Sequence, residues 1–293
     1  MHRFLLHNDE IRDAREPLIS PGQVGFLNGW GVFSTLRVQD GVPFAYERHY
    51  RRMEHDARRL RVPFSLSAPA LYDLLLLLVE ANHADNATLR VALVRNTGGI
   101  FEAPGQTRAA DLVAFTAEIR NWGKGVRLTY VPNGRHGASP FAGAKITSWA
   151  QNLTWYEEAH ERGFDEVILL NEEGQISECT SANIFAIQGD RVWTPPLATS
   201  GCLPGVTRAV LLDEIQIPGL TLAERELAPS ELESSEQVFI TSTTRDLLPV
   251  LEIDGEPLSQ SLQPFDDLRK AFLRYRAGYT ARHFRSKTSS LAI

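Results

Sequence analysis

The sequence predicts an α/β (α+β) chain of two domains, and three observations carry that reading. Its 293 residues exceed one ordinary domain. Strand-like runs alternate with helical patterns through residues 1–120. A second series of short strands with turn signals between them fills residues 126–253. The segment 121–125, Asn-Trp-Gly-Lys-Gly, sets two glycines among polar neighbours and reads as the linker. A smaller N-terminal α/β domain over 1–120 and a larger C-terminal domain over 126–293 are therefore expected.

In order along the chain, residues 4–6 read as a strand turning at Asn8-Asp9, and 17–25 as a loop. Gly29-Trp30-Gly31 leads into a strand over 32–38, closed by Gln39-Asp40-Gly41. Helices are expected over 47–60 and 68–81, the second carrying the leucine block 74–78, which is core or a contact surface. Strands over 88–94 and 112–116 close this half. In the second half, strands are expected over 126–131, 167–170, 176–179, 183–187, 192–194, 237–241 and 247–253. One helix follows over 149–161, a second starts near Thr207, and a long one closes the chain over 265–285.

Composition narrows the function classes. An apolar fraction of 43%, a charged fraction of 23% and a net charge of −6 describe a soluble globular chain and argue against general nucleic-acid binding. The arginine-rich run 48–61 reads as a solvated basic helix face. Cys179 and Cys202 form no CxxC pair, so a disulfide framework is not expected and a reducing compartment is. The N-terminal apolar stretch is short for a signal peptide, and the longest apolar run, 74–79, is far below a membrane span. A cytoplasmic protein is expected. The loop Asn96-Thr97-Gly98-Gly99 is not a GxGxxG fingerprint, and no HExxH or clustered His/Asp set appears, so neither nucleotide nor metal is assigned.

Four stretches carry chemistry. Lys145 stands in Phe141-Ala142-Gly143-Ala144-Lys145-Ile146, a run with no acidic residue until Glu157. Desolvation there disfavours the ammonium and leaves an amine suited to a Schiff base. Glu178 sits at the end of a strand among small polar residues, in Ile176-Ser177-Glu178-Cys179-Thr180-Ser181. Gly205-Val206-Thr207-Arg208 opens a helix whose free N–H groups suit a phosphate, although an ordinary N-cap has the same appearance. Thr241-Ser242-Thr243-Thr244 ends a strand in hydroxyls able to take a further phosphate oxygen.

A lysine, a glutamate and two hydroxyl-bearing turns, in this order and at these distances, resemble the class IV (fold type IV) pyridoxal-phosphate enzymes. That family holds branched-chain and D-amino-acid aminotransferases, (R)-selective amine transaminases and aminodeoxychorismate lyases. Gly163-Phe164-Asp165-Glu166, Ser181-Ala182-Asn183-Ile184-Phe185 and Thr194-Pro195-Pro196-Leu197 stand in place as well. The resemblance implies a mixed sheet in the larger domain, pyridoxal 5'-phosphate as cofactor, and a homodimer. It implies that Lys145 anchors the cofactor and moves the substrate proton, and that Glu178 pairs with the pyridine nitrogen. Arg52 matches the phosphate-binding arginine, with Arg51 as the alternative, while Val206, Thr207, Ser242 and Thr243 complete the phosphate contacts. Phe33 and Thr35 fall in pocket-forming stretches, and Arg37, Arg95 and Arg135 are the candidate binders of a substrate carboxylate.

The implied activity is amino transfer between an amino acid or amine and a 2-oxo acid, branched-chain aminotransferase-like. Aminodeoxychorismate lyase is the alternative, favoured by Phe33-Ser34-Thr35-Leu36-Arg37 and Val94-Arg95-Asn96-Thr97-Gly98-Gly99. The Arg-x-His pair of the D-amino-acid enzymes is absent, with Ile100 and Glu102 in its place, and Trp149-Ala150 replaces the tyrosine that follows the family's lysine.

Overall fold

The computed structural model describes residues 1–100, 102–258 and 263–284. Contacts divide the chain into two compact units, Met1–Ile119 with Leu273–Ile293, and Arg120–Phe272. Phe101, in an apolar loop that reads from the sequence as a second possible contact surface, and the end of the last helix expected at Arg285 lie outside the described residues.

The first unit opens with β1 (Phe4–His7), β2 (Glu10–Asp13), the short helix α1 (Val24–Asn28), β3 (Gly31–Gln39) and β4 (Val42–Pro43). It continues with α2 (Tyr46–Arg59), α3 (Ala68–Ala81), β5 (Ala87–Arg95) and β6 (Ala110–Ala117). Its six strands form one antiparallel sheet in the order β2-β1-β6-β5-β3-β4. Alternation then decides everything about its two faces. Val32, Leu36 and Val38 of β3 and Leu89, Val91 and Leu93 of β5 face the core with the buried stripes of α2 and α3. In α3 that stripe is Leu71, Leu75, Leu78 and Val79, and Ser67 caps the helix start by accepting the Ala70 N–H. The leucine block is thus mostly core, with only Leu77 well exposed.

The opposite face of the same sheet carries Phe33, Thr35 and Arg37 of β3. The register Thr35↔Arg90 and Phe33↔Ala92 adds Arg90 and Ala92 of β5 to it.

In the second unit the order is β7 (Val126–Val131), α4 (Ala150–Glu161), β8 (Glu166–Leu170), β9 (Ile176–Cys179), β10 (Asn183–Gln188) and β11 (Arg191–Thr194). Then come α5 (Leu197–Ser200), α6 (Val206–Glu214), β12 (Thr221–Glu224), α7 (Pro229–Glu233), β13 (Gln237–Ser242), β14 (Asp246–Ile253) and β15 (Glu256–Pro257). The closing helix α8 (Gln263–His283) has its first residues in this unit and those from Leu273 on in the other.

The sheet runs β12-β11-β10-β13-β14-β7-β8-β9, with β15 beside β14. It is mixed: β7 lies parallel to both β8 and β14, and β11 parallel to β12, while the other pairs are antiparallel. A parallel pair needs a crossover, and α4 is that crossover between β7 and β8. The same connection presents Lys145 in the loop ahead of α4. β8 and β9 are buried along their whole length, and β10 along all but its last residue. Strand ends here therefore hold their positions closely.

Candidate active site

The site is built at one end of the second sheet. Register fixes this: Asn183, the first residue of β10, lies opposite Thr241 near the end of β13, and Glu178 near the end of β9 lies opposite Leu169. The 180–183 turn, the 203–207 turn and the 242–245 turn are thereby gathered together.

Lys145 is delivered by a loop that is tied down at several points. The Arg135 N–H donates to the Leu170 carbonyl at 3.0 Å, and the Glu172 carboxylate accepts the N–H groups of Gly137 and Ala138 at 2.7 and 3.0 Å. Those bonds hold Glu172 down to about 2. Two tight turns follow, with Ala142 N–H on the Ser139 carbonyl and Ala144 N–H on that of Phe141. Gly143 takes φ +72°, and a Cβ there would stand 2.8 Å from the Cys202 carbonyl. The glycine is thus required by both conformation and space, and it packs the lysine turn against Cys202. Lys145 itself is half-buried, its Nζ 5.9 Å from the centre of the Trp149 ring.

Glu178 is buried, and each carboxylate oxygen has one recorded donor. Arg135 Nε donates to Oε1 at 3.0 Å, and the Leu203 N–H donates to Oε2 at 3.1 Å. Each oxygen accepts about two hydrogen bonds, so capacity remains for a further N–H. Cys179 beside it is inert, because burial holds its thiol well above the ordinary value, and burial pushes Cys202 up to about 11. Both cysteines are free.

The residues expected on phosphate form two neighbouring groups of donors. At the start of α6, Gly205 is the N-cap and no side chain caps the helix. A Cβ on Gly205 would meet Asn183 Oδ1 at 2.0 Å, so only glycine lets the helix begin this close to β10. Val206 and Thr207 follow, both buried. On the other side, Ser242 Oγ accepts the Arg245 N–H at 3.2 Å, and Thr243 is half-buried beside it. Arg245 binds this turn to its neighbour, donating to Ser181 Oγ at 2.9 Å and to Glu166 Oε2 at 3.1 Å, with its guanidinium 3.9 Å over Trp122. Thr180 and Ser181 also donate to Glu166.

This donor set fits pyridoxal 5'-phosphate. A primary amine, a fixed carboxylate with spare acceptor capacity, and an uncapped helix start with hydroxyls suit its aldehyde, ring nitrogen and phosphate respectively. The start of α6 at Gly205, which no side chain caps, is the specific observation.

The remaining expected residues lie in the first unit. Arg52 Nη2 donates to Ser34 Oγ at 2.9 Å, and Ser34 Oγ lies 2.9 Å from His49 Nδ1. Arg51 is exposed on α2. Phe33, Thr35 and Arg37 share the sheet face opposite the core. Arg95 is spent on backbone: Nε donates to the Thr97 carbonyl at 2.7 Å and Nη1 to that of Arg61 at 2.8 Å, with Trp30 beneath it at 4.1 Å. Among the candidate carboxylate binders, then, Arg95 and Arg135 both have occupied guanidiniums.

One arginine escaped the sequence reading. Arg90 shares the face of Phe33 and Thr35, with its guanidinium 3.8 Å over the Phe33 ring, and no hydrogen bond or ion pair engages it among the described residues. Burial alone pulls it below the usual arginine value. The signal available in the sequence was a lone arginine between Leu89 and Val91 in an alternating strand, which by itself reads as solvent-facing.

The chain is similar to known proteins along most of its length. A family model described as amino-transferase class IV matches residues 31–253. A branched-chain-amino-acid aminotransferase from Salmonella typhimurium is 27% identical over 239 residues, covering 78% of this chain and 77% of that protein. An aminodeoxychorismate lyase from Bacillus subtilis is 25% identical over 255 residues, covering 84% and 85%. The crystal structure of a branched-chain amino acid aminotransferase from Escherichia coli superposes with a TM-score of 0.86 at 21% identity, covering 99% of this chain and 98% of that one. With its match to the family spanning most of its length, this chain belongs to the class IV aminotransferases, the pyridoxal-phosphate-dependent enzymes of fold type IV.

Proposed function

We propose that the protein transfers an amino group between an amino acid carrying an apolar side chain and a 2-oxo acid. The observation that carries this reading is Arg90, a half-buried cation without a counter-charge among the described residues, resting on Phe33 and beside Thr35. A desolvated guanidinium of this kind suits a carboxylate. Both the amino donor and the 2-oxo acceptor bring one, so a single arginine serves both half-reactions. The similarity to branched-chain aminotransferases supports an apolar side chain on that amino acid.

When bound, pyridoxal phosphate supplies the carbonyl that takes up the amino group and the ring that stores the electrons released at the substrate carbon. Lys145 Nζ holds the cofactor, then carries the proton from the substrate α-carbon. Glu178 accepts the ring N–H. The Val206 and Thr207 N–H groups and the Thr207, Ser242 and Thr243 hydroxyls bind phosphate oxygens.

The test is a half-reaction followed to its end. Holoenzyme given leucine or valine should accumulate pyridoxamine phosphate, and 2-oxoglutarate or pyruvate should then discharge it. Thr35, on the same face as Arg90, favours a second reading, the lyase. If no amino acid converts the cofactor while aminodeoxychorismate yields pyruvate, that reading takes over.

A homodimer belongs to the same proposal. Phe26 and Leu27 of α1 are 55% and 63% exposed and Ile100 is 95% exposed, while Val24 against Gly99 brings the two stretches together. An exposed apolar patch of that kind suits an interface. Sedimentation showing an active monomer would refute it.

A further inference from the structure

We propose that Arg135 is a positioning residue that acts through Glu178 to keep the cofactor's ring nitrogen protonated; this rests on the reading of Glu178 as the partner of that nitrogen. Arg135 was a candidate for the substrate carboxylate, and its contacts point elsewhere. Nε is 3.0 Å from Glu178 Oε1, with the two side chains 22% and 7% exposed. Nη1 donates to Asn152 Oδ1 at 3.2 Å and to the Gly134 carbonyl at 3.3 Å. Asn152 is buried and turns its own amide to the Thr180 carbonyl at 3.0 Å, two residues beyond Glu178. The guanidinium is therefore fixed from the loop, from α4 and from β9 together. Swinging it to a substrate would strand a buried carboxylate, which is strongly unfavourable.

The consequence is electrostatic. When Glu178 meets the ring nitrogen, one proton is shared between two arrangements. Either the ring carries it and the carboxylate is anionic, or Glu178 carries it and the ring is neutral. The ring must approach the part of the carboxylate that Arg135 and Leu203 leave open, so the cation lies nearer the oxygen than the nitrogen. A positive charge on the oxygen side stabilises the first arrangement over the second. No atom is gained or lost in this; only the place of the proton changes. A protonated ring is the stronger electron sink, so Arg135 raises turnover without touching substrate.

The experiment uses holoenzyme loaded with pyridoxal phosphate labelled with ¹⁵N in the ring, whose resonance distinguishes protonated from neutral pyridine. Wild type should show the protonated position and Glu178→Gln the neutral one. Arg135→Gln should move toward neutral, and Arg135→Lys, which keeps a cation, should move back. Turnover of Arg135→Gln should fall about ten- to a hundredfold, with a carboxylate-free amine as well as with an amino acid. Asn152→Ala, a milder change that releases Nη1, should shift the resonance in the same direction by less.

If Glu178→Gln leaves the resonance at the wild-type position, the assignment of Glu178 itself fails. Movement in Glu178→Gln with none in Arg135→Gln overturns the role of Arg135, as does a loss confined to carboxylate substrates. Should Arg135→Gln fail to hold the cofactor, an unmoved resonance in Asn152→Ala overturns it too.

Discussion

Two half-buried arginines, Arg135 in the second unit and Arg90 in the first, are placed in opposite ways. In the second unit Arg135 is committed to Glu178 and Asn152, and Arg245 to Glu166 and Ser181. In the first, Arg90 rests on an aromatic ring and has no counter-charge among the described residues. A committed network fixes its members, because moving one leaves another buried and unpaired. An uncommitted cation loses solvation on burial and regains it from whatever anion arrives. On the proposed reading, the difference separates invariable chemistry from exchangeable chemistry: the second unit's groups would serve a cofactor that stays, and Arg90 substrates that come and go.

The sharpest way to break this contrast is at the reacting group. Lys145→Ala should still bind pyridoxal phosphate through the phosphate contacts, yet turnover should fall roughly ten-thousandfold, since general acid–base transfer contributes that order. Steady-state rates beside cofactor absorbance measure both; wild-type turnover refutes the role. Glu178→Gln comes next, with a loss of about 10²–10³ in kcat and the cofactor retained, which is the scale for one preorganised electrostatic contact.

Arg90→Gln probes the uncommitted side. It should cost about 1.5–3 kcal/mol in kcat/KM for amino donor and 2-oxo acid alike. A carboxylate-free amine should be spared, in contrast to the expectation for Arg135. Equal losses with all three substrates would erase the distinction between the two arginines.

Gly205→Ala tests the start of α6 rather than a charge. The new Cβ overlaps Asn183 Oδ1, and relief of such overpacking costs about 1–3 kcal/mol, read as a lower Tm and weaker cofactor retention. The smallest effect concerns the loop clamp. Glu172 is held down to about 2 by backbone N–H groups, first that of Ala138. Its contribution to stability is therefore complete above the ordinary glutamate value of 4.5 and is lost as pH falls through about 2. Melting curves of wild type and Glu172→Gln should differ above that window and converge at its acid end.

How much of this was legible in the chain depends on what each feature needs. The helix over 68–81 was readable because Ser67, Pro69 and the leucine stripe all agree locally, and its bounds coincide with α3. The strand over 126–131 coincides with β7 for the same reason. By contrast β12 is a short run with no buried residue whose existence depends on its parallel partner β11, and no local pattern announces it. The helix α1 begins inside a stretch that reads as loop, with no side-chain cap to mark it. Motif residues such as Lys145 and Glu178 stood out through type and order. Whether an arginine is occupied is decided by groups remote in sequence. Arg95 is consumed by the carbonyls of Arg61 and Thr97, Arg135 by Glu178, and Arg90 is recognisable only once β3 and β5 are in register.

The most direct test of the account is the place where the cofactor is attached. Holoenzyme should be yellow, and borohydride should bleach it and leave the reduced cofactor covalently bound. Peptide mapping by mass spectrometry should then find that label on Lys145. Label on Lys124, Lys270 or Lys287, or no label after loading, would contradict the assignment of the second sheet's end as the active site.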